Sequence, residues 1–487
     1  MNAEPSRLAT LPTLLTAALL LATAGVPAQA LDARTEDALL KIEAVLDMAE
    51  FSEDLWPSWD VSETPFALLG PDSTCYLINH PRPPTRFKRV RESTPLRTSV
   101  YLADARGLPP GEVCLVEGVS TAVLDSMGSA TNAVPLAFEA SFRAHGADIC
   151  GETMKPIELL SGYPTDARNL VLADMECRLL HRAALAPDDS LDVCVREFAS
   201  VRRHRRLRMG ERYASFERRI EFTDGIPAYL AERCRREAGS HLGGRYGRRL
   251  EGALGIPGAL ERCFPESPGL EWYRGERFRW TGAVLCGVMD RYYPDWKKEV
   301  SGECVDPFGV LWRQVGGNVP GATAVLDRLG YDELVASMTT TIEASKTDAE
   351  RLFEGIVRSD SLTLSISTHL LMSGEISFDP SRIERVDAHR EVHTGILKVE
   401  YSGGTHFYSM GVPVAVILGN DKFDLRTLVF EYPDDLAVVL DGEKIEIADG
   451  VYEFARSLSL TAEGVALEAT SGTVMVGVNG MSIILHR

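Results

Sequence analysis

Residues 132–145 read Asn-Ala-Val-Pro-Leu-Ala-Phe-Glu-Ala-Ser-Phe-Arg-Ala-His, and the chain changes character at this stretch. Val134, Phe138 and Phe142 recur every four residues, a spacing that stacks side chains on one face of an α-helix. Asn132 stands where a capping side chain is useful, and Pro135 falls in the first turn, where its missing N–H leaves no hydrogen bond unmade. The stretch is read as an amphipathic helix burying an aromatic stripe, and it opens a long helical region.

Working outward, residues 31–130 combine a helical start (Ala38, Leu39, Leu40, Ile42, Val45, Leu46) with short β-like runs at 74–78 and 113–116. Pro81, Pro83 and Pro84 punctuate the chain between those runs. Downstream, Leu170, Ala173, Cys177, Leu180 and Ala184, and later Val284, Val288 and Met289, keep the helical period. Beyond Ser361 the period becomes two, as in Leu397-Lys398-Val399-Glu400-Tyr401. There Asp441-Gly442, Asp449-Gly450 and Asn479-Gly480 are the dipeptides that tight hairpins favour, because both positions tolerate positive φ. The expected fold class is α+β: a mixed α/β N-terminal portion at 31–130, a mainly helical body at 131–345, and an antiparallel, sandwich-like β domain at 361–487.

The 487 residues are 45% hydrophobic and 25% charged, which suits a buried core and argues against disorder. Lys and Arg number 51 against 70 Asp and Glu, and the resulting charge of −19 repels polyphosphate. No nucleic-acid partner is expected. Arg7, the apolar run Leu11–Leu21 and the small-x-small step Ala28-Gln29-Ala30 together read as a signal peptide over residues 1–30. Export to a periplasm or the exterior follows, and no later stretch has the roughly 18 consecutive apolar residues of a membrane span. All nine cysteines lie before residue 305, so an oxidising destination predicts disulfide bonds with at least one thiol left over. None of them has the close spacing of a zinc knuckle.

Several pieces, in order, resemble exported gluzincin-type zinc metallopeptidases, in which an HExxH helix is followed much later by an Asn/Asp-Glu-Gly helix. They are Leu77-Ile78-Asn79-His80-Pro81 with Pro83-Pro84, Leu136-Ala137-Phe138-Glu139-Ala140-Ser141-Phe142, Gly162-Tyr163-Pro164 with Asn169 and Glu176, Asp224-Gly225-Ile226-Pro227-Ala228-Tyr229, and Thr281-Gly282-Ala283 through Asp295-Trp296-Lys297. The resemblance spans about residues 70–315 and implies a peptidase-like plan for the helical body. In that family two histidines at i and i+4 of one helix reach a single zinc, and the intervening Glu is the general base on zinc-bound water. Here those two positions are Phe138 and Phe142, and phenyl rings have no lone pair to donate. The general-base position is Glu139, while the third ligand position is Asp224, one methylene shorter than glutamate. The resemblance is to a degenerate member, so neither zinc nor any other cofactor is expected. Glu139, and His145 three residues past Phe142, are the candidate catalytic residues if acid–base chemistry persists, with His80 and Asp224 next.

Two further constellations stand out. His389 and His393 sit four apart around Glu391, with Asp387 nearby, in a stretch that reads as strand. Residues 196–249 hold fifteen Arg, no Lys and seven acids, with Arg202, Arg203, Arg205 and Arg206 almost contiguous. Guanidinium binds carboxylate through paired hydrogen bonds, so these four are candidates for docking an anionic partner. The competing expectation is that they line solvated helix faces and pair with Glu211, Glu217 and Glu221. Gly118-Val119-Ser120-Thr121-Ala122 misses the second glycine of a nucleophile elbow, and neither dinucleotide nor phosphate-loop glycine patterns occur. The function expected is that of an exported pseudoenzyme, peptidase-like and non-catalytic, that binds a peptide or protein surface. Two alternatives remain: an active secreted hydrolase with relocated catalytic residues, and a structural protein of the cell envelope.

Overall fold

The helical start expected near residue 38 is the α-helix Ala33–Leu46 (α1), followed by Ala49–Leu55 (α2). The computed structural model describes residues 33–70, 74–90, 98–104, 113–124, 133–150, 163–242, 264–265, 269–300, 306–358, 363–367, 374–378, 382–387, 389–401, 405–418, 425–431, 435–446, 448–477 and 480–485. The expected signal segment lies outside them. Among the described residues no helix is long and apolar enough to cross a membrane.

The chain forms two units, residues 1–145 with 233–256 and residues 146–232 with 257–487. These do not follow the boundaries expected at 130 and 345. Residues 131–145 and 233–256 of the helical region group with the N-terminal sheet, and the remainder groups with the β domain. Helices that share their length between neighbours do not respect cuts made along the sequence.

In the first unit a six-stranded sheet comprises β1 (Phe66–Leu69), β2 (Thr74–Ile78), β3 (Lys88–Arg89), β4 (Val100–Asp104), β5 (Val113–Val116) and β6 (Val119–Leu124), in the order β3-β4-β2-β1-β6-β5. All neighbours are antiparallel except β1 and β6. Glu117 and Gly118, with φ of 49° and 74°, make the two-residue turn between β5 and β6. The aromatic stripe then lies on Ala133–Cys150 (α3), as its period requires.

Among the described residues the second unit is mainly helical up to residue 357. Its helices are Ala167–Leu185 (α4), Asp188–Met209 (α5), Glu211–Ile220 (α6), the start of Ile226–Leu242 (α7), Leu270–Arg274 (α8), Glu276–Tyr292 (α9), Trp296–Val300 (α10), Pro307–Gln314 (α11), Ala322–Arg328 (α12) and Tyr331–Val357 (α13). Asp166 caps α4 by accepting the Asn169 N–H at 3.1 Å, and Asp306 caps α11 by accepting that of Gly309 at 2.7 Å. Between α6 and α7 the chain makes a π-helical turn, Glu221–Gly225. There Gly225 meets Gly282 of α9 so closely that a Cβ on Gly225 would sit 2.6 Å from the Gly282 Cα.

The β domain is a sandwich. One sheet has eight strands in the order Gly450–Phe454, Gly472–Gly477, Gly480–Leu485, Thr363–Ser367, Leu425–Glu431, Val414–Leu418, Arg390–His393 and Ile383–Arg385. The other has seven, in the order Glu443–Lys444, Ala437–Leu440, Leu458–Ala462, Val465–Ala469, Thr405–Met410, Ile396–Tyr401 and Gly374–Phe378. Pairing is antiparallel apart from Gly480–Leu485 beside Thr363–Ser367. Alternation sends Leu397, Val399, Val414 and Val416 into the shared core, while Val392, Ala415 and Val429 point to the opposite face, where Phe353 and Ile356 of α13 cover them. At its other end α13 lays Met338 and Ile342 against Leu170 and Ala173 of α4 and Tyr273 of α8.

Candidate functional site

The positions that would carry zinc-binding imidazoles are packed shut. Phe138 and Phe142 are 0% and 1% exposed. Trp59 meets them edge-on with ring centroids 4.7 and 5.0 Å away, and Trp56 meets Phe142 at 5.1 Å. Each such pair is worth about 0.5–1.5 kcal/mol beyond its buried area. His145 joins the rim of this cluster, its ring 5.7 Å from Phe142 and 6.5 Å from Trp59. Glu139 is buried and its carboxylate accepts from Arg143 Nη2 at 2.9 Å, one turn along the helix. The donor set does not fit a zinc ion: phenyl and indole rings fill the places where nitrogen ligands are required.

His80 is buried and both ring nitrogens are used. Nδ1 accepts from the Arg82 backbone N–H and Nε2 donates to the Val116 carbonyl, each at 3.1 Å. Burial holds this imidazole below its ordinary value despite those two hydrogen bonds, so it is a neutral structural group.

In the helical body of the second unit, one resembling piece converges on arginine through Tyr163, Asn169 and Glu176. Arg205 of α5 is fully buried and grips two carboxylates at once. Its Nε and Nη2 lie 2.7 and 3.0 Å from the Glu176 oxygens, and its Nη1 and Nη2 lie 2.8 and 2.6 Å from those of Glu217. Arg277 of α9 adds a bond to Glu217 at 2.7 Å and one to the Tyr163 hydroxyl at 2.8 Å, and that hydroxyl donates to Glu217. Asn169 is fixed by the Pro164 carbonyl at 2.7 Å, which aligns the start of α4 beside this cluster. Burial alone would raise Glu217, but Arg205 and Arg277 outweigh it and hold the carboxylate well below the usual range. Burial pushes the Tyr163 phenol up to about 12.

A second cluster adjoins the first. Arg202 and Arg206 both bind Glu221, the latter at 3.2 Å, while Thr281 donates to Glu221 at 3.0 Å and Arg206 reaches Asp306 at 3.3 Å. The Arg202 guanidinium also lies 5.4 and 5.1 Å from the ring centroids of Phe198 and Phe308. Arg202, Arg205, Arg206 and Arg277 thus balance Glu176, Glu217, Glu221 and Asp306, all of them buried. This corrects the docking reading of Arg202, Arg205 and Arg206, which do not reach the surface. It also corrects the expectation of solvated faces, although Glu217 and Glu221 are indeed the partners. Arg203 alone of the four is exposed, and it lies 4.6 Å over the Trp312 ring. The arrangement holds helices together, each carboxylate paired with at least one guanidinium.

The Asp-Gly-Ile-Pro-Ala-Tyr and Thr-Gly-Ala pieces also meet. Gly225 packs on Gly282, and Tyr229 donates to Asp290 while accepting from Lys297 at 2.8 Å; Trp296 binds the same Asp290 at 3.0 Å. Asp224 is half-buried on the π-helical turn, where the buried carboxylate is instead Glu221.

In the sandwich, His389 precedes the strand that carries His393, and the two histidines have separate partners. The His389 backbone N–H is held by Asp387 at 2.8 Å. His393 is buried with Nε2 2.8 Å from Glu391 and its ring edge-on to Phe378. Burial would raise Glu391, but His393 and Arg385 hold it lowered. Among the described residues no group of three His, Cys, Asp or Glu is arranged to hold a metal.

Cys75, Cys114, Cys177, Cys194, Cys234 and Cys286 are all buried thiols, so the disulfide bonds expected from export are not formed among the described residues. Cys150, Cys263 and Cys304 lie outside the described side chains.

No family model, no curated protein and no solved structure matches the chain.

The arginine network escaped the sequence reading because charge was assigned to solvent. A signal was present: Arg202, Arg205 and Arg206 continue the apolar stripe of Cys194, Val195, Phe198, Ala199 and Val201, and Glu217 and Glu221 sit one turn apart.

Proposed function

We propose that this chain is an exported, peptidase-like pseudoenzyme that binds a peptide or protein surface without cleaving it. The observation that carries the reading is the burial of Phe138 and Phe142 against Trp56 and Trp59, where the resembling family requires imidazoles. Support for a retained, non-catalytic plan comes from the other pieces. Tyr163, Asn169 and Glu176 gather beside Arg205, and Tyr229 meets Lys297, so their spacing is preserved by packing rather than by a reaction.

The test is direct. The purified chain, equilibrated with zinc and desalted, is expected to retain far less than one zinc per chain and to leave a mixed peptide library intact, while library members raise its melting midpoint. Stoichiometric zinc lost on Asp224→Ala, or chelator-sensitive peptide hydrolysis, overturns the proposal.

A further inference from the structure

We propose that the exposed face at the C-terminal end of α5 docks an acidic peptide segment that carries both carboxylates and an apolar side chain. Arg203, His204, Leu207 and Arg208 recur at i, i+1, i+4 and i+5, so one side of α5 presents them together, turned away from the buried Arg202, Arg205 and Arg206. Leu207 is 70% exposed and stands one turn, about 6 Å, from Arg203. Among the described residues Arg196, Arg202, Arg205, Arg206 and Arg218 each have a carboxylate partner, whereas Arg203 and Arg208 have none. Arg212, past the Gly210 break in the first turn of α6, is likewise without one and lies 5.8 Å over the Tyr213 ring.

The chemistry of this face selects its occupant. The Arg203 guanidinium lies 4.6 Å over the ring of Trp312 on α11, which fixes the side chain and leaves the N–H edge of the fork free for a carboxylate. Such orientation in advance lowers the ordering cost of binding. Burial, and then Arg208, hold the His204 imidazole below its ordinary value, so guanidinium carries the positive charge of the face. At its edge, Arg208 and Arg168 act on the Tyr331 phenol of α13, and Asp166 and Asp332 act on it in the opposite sense. The excess charge is therefore centred on Arg203 and Arg208. Phosphate and carboxylate both suit a guanidinium fork, but only a partner with an apolar side chain beside its acids also covers Leu207. Arg and Trp are the residue types enriched among interface hot spots. The proposal takes from the function above only the expectation of a peptide ligand, and rests on neither export nor the metallopeptidase resemblance.

A fluorescein-labelled peptide of Glu and Leu is titrated with the full-length chain at physiological salt and followed by anisotropy. Saturable binding that weakens as salt rises is expected, with a loss of about tenfold or more when Arg203→Glu and Arg208→Glu are combined. Arg351→Gln, at an exposed arginine of α13 paired with Asp348, is expected to leave binding unchanged. Leu207→Ser is expected to weaken the Glu-Leu peptide but not a peptide of Glu and Ser, and it keeps the test intact if charge reversal disturbs α5. Absence of Glu-Leu binding, or binding indifferent to these variants, overturns the surface. Equally tight binding of the Glu-Ser peptide or of oligothymidylate overturns the apolar requirement and makes the ligand a simple polyanion. Self-association of the chain that the double variant abolishes makes a second copy the occupant and overturns the peptide assignment. If mixed-library members raise the melting midpoint of the double variant as they do that of the unaltered chain while the Glu-Leu peptide fails to bind, the pseudoenzyme reading survives and this surface does not.

Discussion

Glu217 shows how much a single side chain can commit. It accepts from Arg205, Arg277 and Tyr163 with no exposure to water, so its charge is balanced only while all three partners stay in place. Removing one partner of a buried ion pair costs about 3–5 kcal/mol, because the other charge is left in a medium that solvates it poorly. Glu217→Gln is therefore expected to destabilise the protein by that amount in urea unfolding at neutral pH. The pH dependence follows from the same contacts. A carboxylate whose folded value is lowered contributes stability that is fully present above its unfolded value, near 4.5, and is lost as pH falls toward the folded value. Tyr163 acts in the opposite sense: its phenol is raised from 10.0 to about 12, so its contribution is present below pH 10 and lost as pH rises through about 12. Stability measured against pH should show an acid limb that flattens in Glu217→Gln and an alkaline limb that flattens in Tyr163→Phe. An unchanged alkaline limb in the latter would place Tyr163 outside the network.

At the scale of elements, the contact between Gly225 on the π-helical turn and Gly282 on α9 sets how closely two backbones approach. A Cβ on Gly282 would lie 2.8 Å from the Glu221 carbonyl oxygen and 2.9 Å from the Gly225 Cα, and neither neighbour is a flexible side chain. Gly282→Ala should cost about 1–3 kcal/mol, the usual range for overpacking, and should loosen Thr281 from Glu221; chemical denaturation of the variant measures the first. Elements whose pattern is purely apolar were legible in the sequence. The stripe at Val134, Phe138 and Phe142 became the buried face of α3, and Leu397 and Val399 alternated into the sandwich core. Asp441-Gly442 made the expected turn, with φ of 49° and 91°, whereas Asp449-Gly450 leads directly into a strand without positive φ at either residue. What was not legible depends on tertiary pairing. Whether an arginine on a helix faces water or two glutamates is decided by α4, α6 and α9 arriving from distant parts of the chain, and a local window contains none of them.

For the molecule as a whole, α13 matters most, because it connects the helical body to the sandwich. Met338 and Ile342 hold one end and Phe353 and Ile356 hold the other, while Glu343, Lys346, Thr347 and Asp348 between them are exposed. At 1.5 Å per residue its 27 residues extend about 40 Å. Proline in a helix interior removes a backbone hydrogen bond and costs about 3 kcal/mol. Ser345→Pro is expected to speed tryptic cleavage after Lys346 and to release the sandwich as a protease-resistant fragment; simultaneous loss of both parts to digestion would show that the sandwich needs the body to stay folded. A rod gripped at both ends also behaves like an axle. A ligand that shifts α13 against α4 therefore presses, through Phe353 and Ile356, on the outer face of the eight-stranded sheet.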